Sequence, residues 1–523
     1  MNDRLNIYEK IGLAVFLILA FIIYSSFSFG SPSRYNSPDE MANAFFAKQV
    51  ARGGEMSLSI PTTLSSEIIH PRSTIVKNHK ILPASFIGLP IYYGSIGRVF
   101  GEGALPYLTP LFGAMALWAL YSFTCKIFDK PTAWIFTLLT AVSPAFWYYH
   151  SRPFFHNALF FDLVAILIWL AHKIISEKKW WIYILAGSVF GLAIAVRSSE
   201  AVWLAPLALI FIIWQRKSLD FIKLPLFVFA SGVAFLPVIL TNLKLYGSWW
   251  SSGYQSAVTG GAGSGALVGA TNLLLPFGFS FKNIIFTLWH YCITLQWWIM
   301  IPFGLAIVIF FINWRSMPRL VRGYTLIGLL MTIWLTVYYG SWLFFDNTNM
   351  HATIGTSYLR YWLPWLVFSL WPISFLLTRW WSRSFVKLGA VLYIIVFIFF
   401  SVQTVIYSKE EGLKAVRQNV WRFDNESSLV RAATPENSVI VSGITDKFFW
   451  PERQVIVELS DNDYVAVVGL LKAGVSVYNY RQTLSNESMV RENSNLEQFS
   501  LKFENTIVDN GDYSLYEYKV TEL

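Results

Sequence analysis

Two adjacent carboxylates, Asp39 and Glu40, lie in the short sequence NSPDE at residues 36–40. The same stretch is typical of a helix start, with Ser37 as the N-cap, Pro38 at the first helical position and Glu40 three residues after the cap. The two interpretations are compatible, because Glu40 can complete the cap while Asp39 faces a cavity. A carboxylate held near cationic groups stays ionised, as a general base must.

A second set of residues suited to chemistry consists of cations in loops and at the ends of apolar segments. Guanidinium and imidazole groups at one membrane depth suit a phosphate-bearing lipid, because arginine presents a planar donor fork to phosphate oxygens. Any single arginine could instead have no role in binding. Its side chain would then snorkel from the end of a span to the membrane interface. The candidates are Arg72, His79 and Lys80 in the first long loop, Arg152 and His156 in HSRPFFHN, Arg197 in RSSE and Arg360 in YLRYWLP.

Metal and redox centres have little support in the sequence. Cys125 and Cys292 are far apart, so neither a disulfide framework nor a cysteine-rich metal site is indicated. No HExxH or similar spacing supports zinc, while a divalent metal bound by the carboxylates stays open.

The elements that must position these residues are membrane spans. The chain is 55% hydrophobic, 18% aromatic and only 14% charged, and its mean hydropathy of +0.48 is that of a polytopic membrane protein. The first apolar run, residues 11–28, lacks a small-residue cleavage site and is predicted to be a retained helix. Apolar runs predict about eleven spans, at 10–28, 105–125, 131–149, 157–175, 180–196, 200–214, 222–241, 295–313, 323–341, 361–377 and 386–406.

The charges of the connecting loops predict the orientation. Lys and Arg concentrate in alternate loops, and the positive-inside rule places those loops in the cytoplasm. They explain much of the net charge of +9 without a nucleic-acid partner. The first external loop, 29–104, then lies outside the cytoplasm, and its apolar stretch 82–100 is predicted to be a helix in the membrane interface.

The C-terminal segment, 408–523, differs in character from the rest of the chain. Polar residues dominate it, and short β-rich runs such as SVIVSG and RQVIVEL alternate with turn residues. We therefore predict a membrane domain at 1–407, including the first external loop, and a small soluble α/β domain at 408–523 on the extracytoplasmic side.

The order of several segments resembles the GT-C superfamily of integral-membrane glycosyltransferases, especially the protein O-mannosyltransferases and the aminoarabinose transferases that modify lipid A. YNSPDEMANAFFAKQVARGG resembles the acidic pair of the first external loop in that superfamily. The later segments with a resemblance are HPRSTIVKNHKILPASFIGLP, SPAFWYYHSRPFFHNALFFDL, GLAIAVRSSEAVWLAPL and SYLRYWLPW. The resemblance extends over residues 10–377 and departs from the pattern at Asn157, where many members have aspartate.

The resemblance implies a GT-C-like helical membrane protein with juxtamembrane helices in its first external loop. It further implies an enzyme of the cell envelope that transfers a hexose or pentose from a polyprenyl-phosphate donor to a protein, lipid or glycan acceptor, with inversion and outside the cytoplasm. Asp39 would be the general base, with Glu40 beside it, and the cations would hold the leaving phosphate.

Two other classes of function are alternatives to this enzyme. A transporter or flippase for a lipid-linked sugar would also need cations for the phosphate. Such proteins often show repeated halves and helices broken near the midplane, and the sequence shows neither. A non-catalytic scaffold would leave the outer cations unexplained.

Overall fold

The computed structural model describes residues 6–60, 66–249, 253, 275–344, 351–379 and 384–521. Its helices are α1 (Ile7–Ser25), α2 (Pro38–Ala51), α3 (Gly88–Phe100), α4 (Leu105–Ile127), α5 (Lys130–Val142), α6 (Pro144–Ser151), α7 (His156–Glu177), α8 (Trp180–Val196), α9 (Ala201–Trp214), α10 (Leu224–Tyr246), α11 (Phe281–Leu288), α12 (Leu295–Ile312), α13 (Arg319–Gly340), α14 (Ser357–Tyr361), α15 (Leu363–Arg379), α16 (Ser384–Val405), α17 (Leu413–Ala433), α18 (Asp446–Phe449), α19 (Tyr464–Lys472) and α20 (Asn486–Glu497). Its strands are β1 (Leu58–Ser59), β2 (Thr74–Lys77), β3 (Lys80–Pro83), β4 (Val439–Val441), β5 (Gln454–Ile456), β6 (Val477–Gln482), β7 (Leu501–Asp509) and β8 (Tyr513–Val520).

These elements form two compact units. The helical unit contains Met1–Phe29, Pro106–Ile239 and Ala262–Val416. The mixed unit contains Gly30–Leu105, Leu240–Gly261 and Arg417–Leu523.

Within the described residues, seven helices are long and apolar enough to cross a membrane. They are Ile7–Ser25, Glu102–Ile127, His156–Glu177, Phe221–Tyr246, Phe281–Ile312, Arg319–Gly340 and Lys387–Val405. The pair Trp180–Val196 and Ser198–Trp214 adds an eighth if it is one span, and it is bent by 115°.

The predicted spans all correspond to helices, but fewer helices than predicted have the length of a span. The predicted span 131–149 is divided into α5 and α6, because Ser143 is extended and precedes Pro144. A residue before proline is disfavoured in the helical conformation, so a proline can interrupt an apolar run. Helix α15, at the predicted span 361–377, has only 17 residues. A hydropathy profile shows which residues are apolar but does not show where a helix is interrupted.

In the mixed unit, α2 packs closely against α3. A Cβ at Gly94 would lie 2.5 Å from Cβ of Val50 and 2.7 Å from the carbonyl oxygen of Ala47, so glycine permits the approach of the two helices. Helix α3 occupies most of the stretch predicted to be an interfacial helix, while residues 80–83 form β3 instead.

The mixed unit also contains two sheets. Strands β1, β2 and β3 form an antiparallel sheet in the order β1-β3-β2. The C-terminal residues form a five-stranded sheet in the order β5-β4-β6-β8-β7, in which β4 pairs in parallel with β5 and β6 while β8 is antiparallel to β6 and β7. The predicted C-terminal α/β fold is therefore confirmed.

The core of the mixed unit joins the first long loop, 29–104, to the C-terminal sheet. Ile60, Ile69 and Ile81 of the loop are buried in one cluster with strand residues such as Val439. A second cluster contains Met41 of α2 together with aromatic residues such as Trp450. The structure thus groups the loop with the C-terminal residues, whereas the sequence assigned it to the membrane domain, because a hydropathy pattern shows that a residue is apolar but not what it packs against.

Candidate functional site

Asp39 lies in the first turn of α2, where the expected capping box is present. Ser37 Oγ accepts a hydrogen bond from the Asp39 amide at 3.3 Å, and Glu40 Oε2 accepts one from the Ser37 amide at 3.0 Å. Glu40 is only 2% exposed, whereas Asp39 is half-buried. The cap fixes the backbone of the acidic pair and engages the carboxylate of Glu40.

The carboxylate of Asp39 is oriented by a residue of the same unit that the sequence analysis did not single out. Ser73 Oγ donates a hydrogen bond to Asp39 Oδ1 at 2.6 Å. The φ angle of Ser73 is +62°, a left-handed conformation that residues with a Cβ seldom adopt. A serine in this conformation has no periodic signature, so hydropathy and spacing could not have indicated it.

The first-loop cations are engaged within the mixed unit. Arg72 binds Asp446 in a bidentate manner, with Nε at 2.9 Å and Nη2 at 2.7 Å from Oδ1 and the backbone amide at 2.7 Å from Oδ2. Arg72 Nη2 also donates to the Ile444 carbonyl at 2.6 Å. Arg72, predicted to hold a phosphate, is therefore bound by the C-terminal residues.

Lys80 and His79 lie at the β2–β3 turn and are exposed. Lys80 Nζ is 3.1 Å from Oε2 of Glu55, and Lys244 Nζ is 2.9 Å from Oε1 of the same residue. Hydrogen bonds from Lys244 and Lys80 lower the pKa of Glu55 to about 2. His79 has a φ angle of +57° and accepts the Ile60 amide at its carbonyl oxygen at 3.0 Å.

Three of the predicted arginines lie together in the helical unit, interleaved with aromatic rings. The Arg152 and Arg360 guanidinium carbons each lie 4.9 Å from the centre of the Phe155 ring. Arg360 and Arg197 each lie 5.4 Å from the Tyr361 ring centre. We call Arg152, Arg197, Arg360 and these two rings the arginine cluster.

Each cation of the arginine cluster lies where a helix ends or bends. Arg152 follows α6, and a turn with Phe154 at a φ angle of +69° leads from it to Phe155 at the N-cap of α7. Arg197 is the C-cap of α8, at the 115° bend. Arg360 lies in the five-residue helix α14. The chain direction changes at these points, and this allows side chains from separate helices to converge.

Hydrogen bonds fix the Arg197 guanidinium on several sides. Nε donates to Glu200 Oε1 at 2.9 Å, Nη1 to Asn157 Oδ1 at 3.2 Å and Nη2 to the Tyr339 hydroxyl at 3.1 Å. Glu200 also accepts hydrogen bonds from Tyr339 and from the indole of Trp203. Asn157, where the resembled family often has aspartate, is neutral, so it adds no second negative charge beside Arg197.

The other arginines of the cluster also have polar partners. Arg152 is 4% exposed, and its Nη1 donates to the Tyr148 hydroxyl at 2.7 Å. Arg360 Nη2 donates to Ser357 Oγ at 2.7 Å. His156, also among the predicted cations, is buried as the first residue of α7, next to Asn157. Glu200 places a carboxylate beside the Arg197 guanidinium of the arginine cluster, with Nη2 2.8 Å from Oε1.

A buried acid–imidazole pair lies beside this region of the helical unit. His150 Nδ1 is 2.7 Å from the Phe146 carbonyl oxygen, and Nε2 is 2.8 Å from Asp162 Oδ1, with both side chains fully buried. A Cβ at Gly113 would lie 2.3 Å from the His150 ring, so glycine leaves the space that the ring occupies. The pair connects α6 to α7, which flank the turn that carries Arg152 and Phe155.

No metal site is apparent among the described residues. No group of three or more His, Cys, Asp or Glu side chains in that part of the chain is placed to hold a metal ion.

Comparisons with known proteins agree with this architecture. Residues 96–243 match the family of dolichyl-phosphate-mannose-protein mannosyltransferases, and no curated protein matches the chain. ArnT from Cupriavidus metallidurans bound to undecaprenyl phosphate is similar over 97% of this chain and 98% of its own, with a TM-score of 0.56 and 11% identity. The archaeal oligosaccharyltransferase AglB from Archaeoglobus fulgidus, in complex with an inhibitory peptide and a dolichol-phosphate, has a TM-score of 0.55 and 12% identity over 95% of this chain and 71% of its own.

A further structure of the Archaeoglobus fulgidus oligosaccharyltransferase, tethered with an acceptor peptide, has a TM-score of 0.51 and 14% identity over 91% of this chain and 69% of its own. The fold is therefore similar to that of the ArnT and oligosaccharyltransferase structures, as the sequence resemblance predicted.

Proposed function

We propose that this protein is a membrane glycosyltransferase that takes a sugar from a polyprenyl-phosphate donor. The observation that carries the proposal is the arginine cluster, where three guanidinium groups lie together on two aromatic rings in a GT-C fold. Guanidinium groups already fixed in place can stabilise a leaving phosphate without reorganising during the reaction. The similar ArnT and AglB structures contain undecaprenyl phosphate and dolichol-phosphate, respectively.

In the proposed reaction, the acceptor hydroxyl loses its proton to the carboxylate of Asp39. The acceptor oxygen then forms a bond to the anomeric carbon, while the bond from that carbon to the phosphate oxygen breaks, with inversion. The polyprenyl phosphate leaves with the added negative charge, and Arg152, Arg197 and Arg360 stabilise it, with His156 nearby.

Within this scheme, the two residues of the acidic pair, Asp39 and Glu40, have different roles. Glu40 is the capping partner, because its carboxylate binds the Ser37 amide. Arg72 and Lys80, which already bind carboxylates, serve the first loop and not the phosphate.

An apolar cavity in the helical unit supports a donor with a lipid tail. The cavity has a volume of about 420 Å³ and is lined by side chains such as Phe161, Trp203 and Phe368. Trp203 also donates to Glu200, so the cavity wall and the network that fixes Arg197 share a residue. A hydrocarbon tail gains free energy in such surroundings, in proportion to its buried apolar area.

We also propose that the chemistry takes place outside the cytoplasm, as the charge distribution of the loops favours. A cysteine introduced at exposed Ser488 of α20 is then labelled from outside intact cells by a membrane-impermeant maleimide. Protection of this cysteine in intact cells and labelling only after permeabilisation would overturn the orientation.

The test of the enzyme uses purified protein and a panel of polyprenyl-phosphate sugars, with transfer or hydrolysis scored by mass spectrometry. Asp39→Asn is expected to lower kcat by about 10³-fold, because the amide cannot accept the proton. The matched control is Asp512→Asn, at an exposed aspartate of the same unit. If the folded Asp39→Asn variant retains most of the transfer activity, Asp39 is not the general base. If the protein moves the intact donor across the membrane without transferring the sugar, it is a flippase.

A further inference from the structure

A buried carboxylate of the C-terminal sheet region is bonded to the loop residue that precedes Ser73. Asp446 begins α18 and is fully buried. It accepts hydrogen bonds from the Arg72 side chain and, at 2.7 Å, from the Arg72 backbone amide. The backbone bond is important because it fixes the main chain of the loop and not only a flexible side chain.

Ser73 is held in its left-handed conformation from both sides. On the N-terminal side, Asp446 fixes Arg72. On the C-terminal side, the Ala84 amide donates to the Ser73 carbonyl oxygen at 3.0 Å, and Thr74 Oγ1 donates to the Pro71 carbonyl oxygen at 2.7 Å. A residue other than glycine persists in this region of conformational space only where its surroundings determine it, and such residues cluster at functional sites.

The consequence of this conformation is the 2.6 Å hydrogen bond from Ser73 Oγ to Asp39 Oδ1. Ser37 and Glu40 fix the backbone of Asp39, and Ser73 fixes its carboxylate. An uninterrupted series of contacts therefore leads from Asp446 through Arg72 and Ser73 to Asp39, all of them within the mixed unit.

We propose that Asp446 is a positioning residue for the general base, acting through Arg72 and the hydroxyl of Ser73. This inference rests on the proposed function, since it assigns a role in the reaction of Asp39. It makes the C-terminal sheet region part of the catalytic apparatus, because a residue of that region determines the orientation of the Asp39 carboxylate.

A simpler explanation is that the Arg72–Asp446 pair only ties the first loop to the C-terminal residues. The chain offers a matched pair that has this simpler role. Arg34 Nη2 lies 2.8 Å from Glu452 Oε2, and Arg34 Nη1 donates to the Trp450 carbonyl oxygen at 2.9 Å. This pair also joins the loop to the C-terminal residues, and the side-chain partners of Arg34 are in that C-terminal segment. Glu452→Gln is therefore the control for a general loss of stability.

The test measures kcat, the KM for the lipid-linked donor and the thermal midpoint of the full-length protein for Asp446→Asn, Ser73→Ala and the double variant. Each single variant is expected to lower kcat by about tenfold, since small misplacement of a reacting group costs up to about 10²-fold. The donor KM stays within about twofold, because Asp39 acts on the acceptor. If the two residues act along one path, the double variant is no slower than the slower single variant.

Two further variants separate the hydroxyl from the backbone and from overall stability. Ser73→Gly tolerates a φ angle of +62° but has no hydroxyl, so it is expected to lose the same activity as Ser73→Ala. Glu452→Gln is expected to lower the thermal midpoint without changing kcat.

The outcomes distinguish failure of this inference from failure of the proposed function. If Asp39→Asn is inactive while Asp446→Asn and Ser73→Ala keep the kcat of the parent, the positioning role is overturned and the general base stands. Additive losses in the double variant, or an equal loss of kcat in Glu452→Gln, also overturn it. If Asp39→Asn itself stays active, the proposed function fails instead.

Discussion

The arginine cluster and the cations of the first loop were predicted to do the same work, yet their surroundings differ. In the mixed unit, Arg72 meets a fully buried carboxylate, and Lys80 meets an exposed one. In the helical unit, Arg152 and Arg360 meet aromatic rings and neutral oxygens. A ring attracts a guanidinium group without cancelling its charge, whereas a carboxylate neutralises it.

The difference shows what a cation needs in order to bind a charged substrate. A guanidinium group that packs on a ring is fixed in space and keeps its charge for a phosphate. One that forms a bidentate pair with a carboxylate serves structure instead. Arg197 combines both features, because it lies over Tyr361 and is bonded to Glu200. We infer that Glu200 orients Arg197, because its carboxylate binds the guanidinium group on one side while the ring lies on another.

The largest difference between the two groups of cations is expected when arginines of the arginine cluster are replaced. Arg152→Ala and Arg197→Ala are each expected to raise the donor KM by about 10- to 100-fold, since a hydrogen bond to a charged group contributes about 1.5–3 kcal/mol. The acceptor KM should change far less. Titration of donor and acceptor in separate kinetic series provides the measurement.

Lysine substitutions serve as matched controls for this prediction. Arg152→Lys and Arg197→Lys keep the charge but lose the planar fork and the ring contact, so their donor KM should lie between those of the parent and of the alanine variants. Unchanged donor KM values in both alanine variants would show that these arginines bind no phosphate.

A smaller effect is expected from the pair that holds the turn beside the arginine cluster. The Phe146 carbonyl can only accept a hydrogen bond, so His150 Nδ1 carries a proton and Nε2 faces Asp162. Asp162→Leu leaves Nε2 without a partner, and a buried group that loses its hydrogen bond costs about 1–3 kcal/mol. We expect a lower thermal midpoint and, because Arg152 is displaced, a donor KM raised about tenfold.

Asp162→Asn is the control, because an asparagine amide can donate to Nε2 of a neutral histidine. It should keep most of the stability and the donor KM of the parent. Equal losses in the asparagine and leucine variants would show that the pair depends on the charge of Asp162 and not on the hydrogen bond.

The sequence predicted local structure and residue types better than partners. The capping box at Ser37–Glu40 was predicted because its hydrogen bonds join residues within one turn. The bonds of Arg72 to Asp446 and of Arg197 to Tyr339 were not predicted, because these partners are 374 and 142 residues away along the chain. Such contacts have no signature of spacing or hydropathy.

The interruptions within the predicted spans and the position of the arginine cluster occur at the same turns of the chain. Arg152 follows the divided span of α5 and α6, and Arg197 lies at the 115° bend. Hydropathy shows that a run of residues is apolar, but it does not show how the chain direction changes where one helix ends and the next begins. The same turns bring cations from separate helices into one group, so the sequence predicted these arginines as phosphate ligands without predicting the aromatic rings that they contact.

The smallest change in donor KM is expected for a substitution of Lys80, which belongs to the cations of the first loop. Its side chain is 45% exposed, and its partner Glu55 also binds Lys244. Lys80→Ala therefore leaves Glu55 paired and should change the donor KM by less than about twofold, as expected for an exposed ion pair. The matched variant Arg360→Ala, in the arginine cluster, should exceed this change by about tenfold.

The pH dependence of this pair provides a second measurement. Hydrogen bonds from Lys244 and Lys80 lower the pKa of Glu55 to about 2. A lowered pKa contributes stability that is present above the pKa of an unfolded glutamate, about 4.3, and that disappears as the pH falls towards 2. Between about pH 5 and 9, Glu55 stays ionised, so the pH profiles of the parent and Lys80→Ala should coincide. A donor KM in Lys80→Ala raised as far as in Arg152→Ala would place Lys80 in the phosphate site and remove the distinction between the two groups of cations.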